Sequence, residues 1–336
     1  MKHRRIGGLE VSVVGLGGNN FGTDFFGRGC DQREVTRIVN AALDAGINLI
    51  DTAEEYSVIS RYGHGHSEEF IGVALAHRRD EAVIATKFLN KSAEDPGERG
   101  ARRIVAAAEA SLRRLGTDHI DLYQQHQPDR ATPLEEILTA LDQLVRDGKV
   151  REVGCCNFDA PLLHAAGEAA VRCSVGPFRS HQLQYSVLER PPVEVLQALQ
   201  RQGMSILAYF PLASGLLTGK YHRGEPPPAD SRLGADGPVS AMLRAGTFQT
   251  RPPLSDERLQ TVERLAGYTA ERGHSLLELA ISWLVAQPTV GSVIAGATKP
   301  EHVVANAAAA SWELTPEDLA AIDAIVAEEG RPQGSP

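Results

Sequence analysis

Cysteine, methionine and tryptophan are all scarce in this chain of 336 residues, which holds four, three and two of them. The cysteines, at positions 30, 155, 156 and 173, match no zinc-ligand spacing, and neighbours 155 and 156 on a strand would face opposite ways, so all four read as free thiols. No apolar run approaches the length of about 18 residues that a membrane span needs. The basic start MKHRRIGGLEVSVVGLGG lacks the apolar stretch and small-residue cleavage site of a secretory signal, so a cytoplasmic location is expected. Excess positive charge is missing too: 34 basic against 43 acidic side chains give a net charge of -9, a field that favours neither nucleic acid nor anionic lipid. What is present is ample apolar mass, 42% of residues, enough for a large core and against disorder. Small-molecule chemistry is the remaining expectation, and the oligomeric state is left open.

Apolar, β-rich runs alternate with segments of helical period along the whole chain. Eight read as strands: VSVVGL, INLID, AVIATK, IDLYQQH, REVGCC, HQLQY, MSILAY and GSVIAG. Helix patterns lie near residues 32 to 45, 67 to 78, 99 to 115, 133 to 147, 159 to 170, 192 to 202, 255 to 287 and 300 to 310. Eight such units predict an α/β fold, a closed parallel (β/α)8 TIM barrel. Residues 3 to 12, with Gly7 and Gly8 between short apolar stretches, predict an N-terminal β-hairpin across the bottom. The segment LTPEDLAAIDAIVAEE, capped by Thr315 ahead of Pro316, predicts an extra C-terminal helix. No linker-like composition shift interrupts the units, so residues 1–336 are expected to form a single domain.

Residues 213 to 253 fit no period and follow the carboxyl end of the seventh strand, the face where barrel enzymes build their sites; they read as a lid over a ligand. GLGGNNFG, at 15 to 22, invites a dinucleotide fingerprint but fails on spacing. With Gly15 and Gly17 in place the last glycine should fall at position 20, which is Asn20, and no helix opens there. Its glycines instead let a top loop approach a ligand. HGH, at 64 to 66, lacks a third ligand of suitable spacing, and Ser67 reads as the cap of the helix beginning EEFIGVAL, so no metal is expected.

Asp51 and Tyr56, in NLIDTAEEY, stand where an apolar strand breaks into a loop, and Lys87 and His126 end the next two apolar runs in the same way. Each alone has an ordinary structural role open to it. Ending consecutive strands, however, Asp51, Lys87 and His126 must meet at one rim of a barrel. A tyrosine is a poor acid at neutral pH, with a pKa near 10, and a neighbouring ammonium favours its phenolate. The four residues together suggest proton delivery.

The blocks GINLIDTAEEY, IATKF, IDLYQQHQPD, GCCNF, HQLQYS, FPLASGLLTGKY and IAGATKPEHVVAN run in the order found in the aldo-keto reductases, which the chain resembles over nearly its whole length. The resemblance implies a nicotinamide cofactor extended across the barrel mouth and direct hydride transfer to a carbonyl carbon of a small-molecule aldehyde or ketone. It implies Tyr56 as general acid, Lys87 as the ammonium that lowers its pKa, Asp51 as the carboxylate placing Lys87, and His126 as the donor orienting the carbonyl. Asn157 and Gln182 match the carboxamide contacts, and Tyr209 the ring stacked on the nicotinamide. Leu212, Gly215, Leu217 and Lys220 match the loop over the pyrophosphate, Arg232 a basic residue near the adenosine phosphate, and Thr298, His302 and Asn306 the adenosine end.

Cys156, Phe210, His181 and Ala305 depart from the family's usual serine, serine, asparagine and acidic residue. With no carboxylate at 305 and Lys220, Arg232, Lys299 and His302 nearby, NADPH is the expected cofactor, with NADH possible. The resemblance also leaves open oxidation of the aldose 1-dehydrogenase type, or a nicotinamide-sensing regulatory subunit similar to channel beta subunits. Among the aromatic residues Tyr123 and Trp283, the latter reads as core, and Phe25 and Phe26 as substrate-facing.

Overall fold

The structure, a computed structural model, describes residues 1–23, 29–57, 65–90, 99–229, 231–234 and 254–328. Gly7, at φ +57°, turns the chain between antiparallel strands β1 (His3–Ile6) and β2 (Leu9–Ser12). Eight strands follow: β3 (Val14–Gly17), β4 (Leu49–Asp51), β5 (Val83–Phe88), β6 (Ile120–Gln125), β7 (Val150–Cys156), β8 (Ser180–Gln184), β9 (Ser205–Tyr209) and β10 (Val290–Gly296). They pair in parallel in the order β10, β3, β4, β5, β6, β7, β8, β9 and close into a barrel, which removes the open sheet edge. Around them lie α1 (Gln32–Asp44), α2 (His66–Leu75), α3 (Ala101–Leu115), α4 (Leu134–Arg146), α5 (Ala160–Cys173), α6 (Val193–Arg201), α7 (Asp256–Ala270), α8 (Leu276–Ala286), α9 (Pro300–Ala308) and α10 (Pro316–Ala327). The fold is the expected (β/α)8 TIM barrel with a hairpin and an added C-terminal helix, the latter capped by Thr315 accepting from Asp318 N–H. None of the described helices is long and apolar enough to cross a membrane.

Two layers of apolar packing set where a site can form. The larger joins helices to the outer barrel surface, with Ile38, Ile71, Ile104 and Leu141 fully buried. The smaller fills the barrel itself: Leu49, Ala85, Leu122, Leu207 and Ile294 meet Ile6, Leu9 and Val11 of the hairpin. The hairpin thus plugs one end. Inward positions at the carboxyl ends of the strands are left for polar groups.

Three local expectations are corrected. VSVVGL is not one strand: Val11 and Ser12 belong to the hairpin, while Val14–Gly17 enters the barrel, because Ser12 bonds locally to Val14 O and to Asn48. The pattern at 255 to 287 is two helices, broken where Gly273 takes φ +74° and Ser275 with Glu278 starts a new capping box. Ser67 does not cap α2, whose N-cap is Gly65; its hydroxyl lies 2.8 Å from Thr52 Oγ1 and donates to Gly18 O, tying α2 to the barrel top.

Helices α2 and α3 touch at Gly72, where an added Cβ would lie 2.6 Å from the Leu115 carbonyl oxygen and 2.9 Å from that of Arg114. Backbone oxygens cannot rotate aside, so Gly72→Ala is expected to destabilise the protein by about 1–3 kcal/mol, read as a lower urea midpoint at unchanged slope.

Candidate active site

Asp51 ends β4 and Lys87 lies near the end of β5, so parallel pairing brings both inward at the barrel mouth. The Lys87 ammonium, wholly buried, donates to Asp51 Oδ2 at 2.8 Å, to Thr52 O at 2.7 Å and to the Tyr56 hydroxyl at 3.2 Å. Gln182, in the middle of β8, donates to the other Asp51 oxygen at 2.7 Å. His126 follows β6, donates its backbone N–H to Phe88 O, and packs edge-on against the Tyr56 ring with centroids 5.8 Å apart.

Burial works against the charge of Lys87, but Asp51 and the groups of Tyr56 and Cys156 outweigh it and hold the ammonium above its ordinary value. For Tyr56 the balance runs differently. Burial is the largest influence; aided by Asp51, it overrides the opposing pull of Lys87 and pushes the phenol up to about 12. Lys87 acts in the direction expected from the sequence, yet the hydroxyl is a weaker acid than free tyrosine, and it stays protonated at neutral pH. Burial first, then Lys87, lowers His126 to about 3, so its imidazole is neutral. Its Nδ1 lies 3.4 Å from a Glu55 carboxylate oxygen but has no hydrogen-bond partner among the described residues.

Asn157, at φ +61° just after β7, gives a hydrogen bond to His126 O and accepts one from the Tyr209 hydroxyl at 2.9 Å. The next N–H, of Phe158, donates to His181 Nε2 at 2.9 Å. His181 is buried and lowered to about 4, burial being the cause. Cys156 faces the site and burial pushes its thiol up to about 12, against Lys87; Cys155 faces the outer core.

A cavity of about 1130 Å³ opens from this cluster. Asp51, Tyr56, His126, Asn157, Gln182, Tyr209, Leu212, Gly215, Lys220, Arg232, Thr298, His302 and Asn306 line it. Lys87 sits behind Asp51 and Tyr56. Leu217 is buried in the hydrophobic core and its side chain does not reach the wall. The described part of the long loop, 213–229 and 231–234, supplies a 3-10 stretch (Ala213–Thr218) that kinks at Ser214 and Gly215, at φ +58° and +95°. Arg232 reaches across to donate to Asn20 Oδ1 at 2.9 Å, joining that loop to the one after β3. The rest of the loop, His64, Phe25 and Phe26 lie outside the described residues. Tyr123 and Trp283 are core residues, stacked on Phe88 and set edge-on to Tyr185.

The cavity exceeds the ~300–1,000 Å³ of an ordinary small-molecule pocket, so it has room for a dinucleotide beside a small substrate. Its chemistry is divided: a protonated phenol and a neutral imidazole at one end, and Lys220, Arg232 and Lys299 at the other, where a ligand's phosphates would be matched. Bare backbone at Gly17 and Gly296 allows close approach between the two. These residues fit an extended nicotinamide dinucleotide. Glu55, which lines the cavity beside His126, carried no sequence signal beyond its place before Tyr56. The Asn20–Arg232 contact is equally hidden, since it joins segments 212 positions apart.

Residues 13–327 match the Aldo/keto reductase family. The chain is 34% identical over 338 residues to a probable voltage-gated potassium channel subunit beta of Oryza sativa subsp. japonica, covering 97% of each. It is 34% identical over 325 residues to an aldo-keto reductase of Bacillus subtilis (strain 168), covering 95% of this chain and 91% of the relative. In structure it is similar to the glycerol dehydrogenase of Gluconobacter oxydans, with a TM-score of 0.80 and 33% identity over 99% and 98% of the two chains. The chain belongs to the aldo/keto reductase family. As an aldo/keto reductase it is an oxidoreductase of a family that uses nicotinamide cofactors for carbonyl reduction.

In this aldo/keto reductase His126 and His181 are neutral when folded and titrate near 6.5 when unfolded. The unfolded chain then binds more protons, so stability falls as pH drops from about 6.5 toward 4. Each imidazole is expected to contribute roughly 1 kcal/mol per pH unit in that window. Urea unfolding at pH 7 and pH 5 checks it: His181→Asn should flatten the slope, and an unchanged slope refutes the assignment.

Proposed function

We propose that this protein reduces aldehydes or ketones to alcohols with NADPH, the whole chain working as one barrel domain, with Tyr56 as proton donor. One observation carries the reading: the Tyr56 hydroxyl, hydrogen-bonded to a buried ammonium, opens onto the cavity beside a neutral imidazole. When bound, the reduced nicotinamide supplies a hydride to the carbonyl carbon. His126 donates toward the carbonyl oxygen and orients it. Negative charge then grows on that oxygen, which becomes a stronger base than a phenolate and draws the Tyr56 proton. Lys87 stabilises the phenolate left behind, and Asp51 keeps Lys87 charged and aimed. Tyr209 offers a ring for the nicotinamide to stack on, Asn157 and Gln182 face its carboxamide, and Leu212, Gly215 and Lys220 form the strap over the pyrophosphate, with Leu217 anchoring that strap in the core. Arg232, Lys299 and His302 answer a 2'-phosphate, with Thr298 and Asn306 at the adenosine. Ala305 brings no carboxylate there to prefer a free diol.

A second reading is favoured by the relatives named as potassium channel beta subunits: a nicotinamide-holding regulatory subunit, with slow turnover. The similarity to a glycerol dehydrogenase likewise keeps the oxidative direction, including aldose oxidation, in view. Rates distinguish these readings, since a sensor retains cofactor without steady turnover.

Spectrophotometric oxidation of NADPH and NADH against a carbonyl panel is the test. Tyr56→Phe should lose about 10²–10⁴ in reductive kcat while still binding cofactor; equal turnover by both proteins refutes the mechanism. Arg232→Ala should reduce kcat/KM with NADPH about tenfold and leave the NADH value within about twofold, matching loss of a charge-assisted hydrogen bond. A parent enzyme more efficient with NADH overturns the cofactor assignment.

A further inference from the structure

Between Asp51 and Tyr56 lies Glu54, a buried carboxylate that the reaction just described does not use. Its backbone N–H donates to Lys87 O at 3.1 Å, and its Oε1 accepts from Leu89 N–H at 2.7 Å. The residue therefore grips the end of β5 at two points along one edge, flanking Phe88 and next to Lys87. Arg103, nearly buried in the first turn of α3, closes the arrangement: its Nη2 lies 2.7 and 2.8 Å from the two Glu54 oxygens.

Stability alone is a poor account of this pair. Buried ion pairs give little net stabilisation over apolar residues of the same size, because both ions lose their water. Arg103 also sits in the first turn of a helix without an acidic residue there, where the helix dipole disfavours a cation. What an ion pair supplies that a leucine and a methionine cannot is direction.

We infer that Glu54 and Arg103 are positioning residues, whose pairing clamps the Asp51–Tyr56 segment to the end of β5 and so sets the Tyr56 hydroxyl at 3.2 Å from the Lys87 ammonium. The inference rests on the reading of Tyr56 as proton donor. Removing one partner would strand a buried charge, so the informative variant is the double Glu54→Leu/Arg103→Met, which removes both and keeps the volume.

In that variant, folded by circular dichroism and binding NADPH with the parent's affinity, kcat should fall between tenfold and a hundredfold, with KM within about twofold, as expected for a reacting group misplaced by about 1 Å. In a Tyr56→Phe background the same pair of changes should cost nothing further, because the clamp acts through that hydroxyl. Equal losses in both backgrounds overturn the inference and leave the pair a structural one. Turnover by Tyr56→Phe equal to the parent's is a separate result, and sinks the donor reading. A readout independent of turnover follows the seven tyrosines by ¹³Cζ labelling. The Tyr56 resonance, identified by its loss in Tyr56→Phe, should move or broaden in the double variant. A resonance that stays in place refutes the clamp even if no carbonyl is reduced.

Discussion

The ion pair of Lys87 with Asp51 is the constraint around which the barrel mouth is arranged. Two charges removed from water are costly to hold, and their attraction offsets that cost only if the remaining hydrogen-bonding capacity is also met. Here it is met on both sides. The ammonium has three protons and three acceptors, Asp51 Oδ2, Thr52 O and the Tyr56 hydroxyl, and the second Asp51 oxygen accepts from Gln182. One interaction thereby ties together the ends of β4 and β5, the middle of β8 and the loop that carries the tyrosine.

Burial of the same cluster explains why the phenol is not pre-ionised. At Tyr56 burial is the largest influence and the Asp51 charge opposes the pull of Lys87, so the proton is retained. A donor of this kind is inert in the resting protein and releases its proton only toward an oxygen that has become strongly basic. On the proposed reading, the arrangement suits a reaction in which negative charge appears at one atom, and a group with a high pKa would act as an acid there near neutrality. A neutral His126 belongs to the same logic: beside a buried ammonium a second cation would be repelled, while a neutral N–H still donates.

The strand and helix periods, and the placement of Asp51, Lys87 and His126 at successive strand ends, were legible because each depends on local pattern plus one topological rule. VSVVGL reads as one strand because the break at Ser12 is made with Asn48, 36 positions away. The 255 to 287 pattern hid a break because two helices of the same period, placed end to end, read as one until the capping box is noticed. Of the candidate site, residues that line the cavity by strand position could be assigned from motifs. Glu54, Arg103 and the Asn20–Arg232 contact could not, since their partners lie far along the chain and the residue types are those of any solvated surface. The sign of the Tyr56 shift was beyond the sequence for a related reason: it is set by how much water the fold removes, which no spacing records.

Backbone strain follows the same geography. Among the described residues, six non-glycine positions take positive φ, and Ser57, Asn157, Phe210 and Ser214 of these line the cavity. Each such residue costs on the order of 1–3 kcal/mol unless its surroundings favour it. For two of them the surroundings do: Ser57 donates to Phe21 O at 2.7 Å, and Asn157 is held by Tyr209 and His126 while its neighbour Phe158 is held by His181. These supports come from the strands and from the loops beside them. The apolar plug of Ile6, Leu9 and Val11 and the polar cluster of Asp51, Lys87 and Gln182 are thus two ends of one design, in which the interior that excludes water below fixes the charges that face the cavity above.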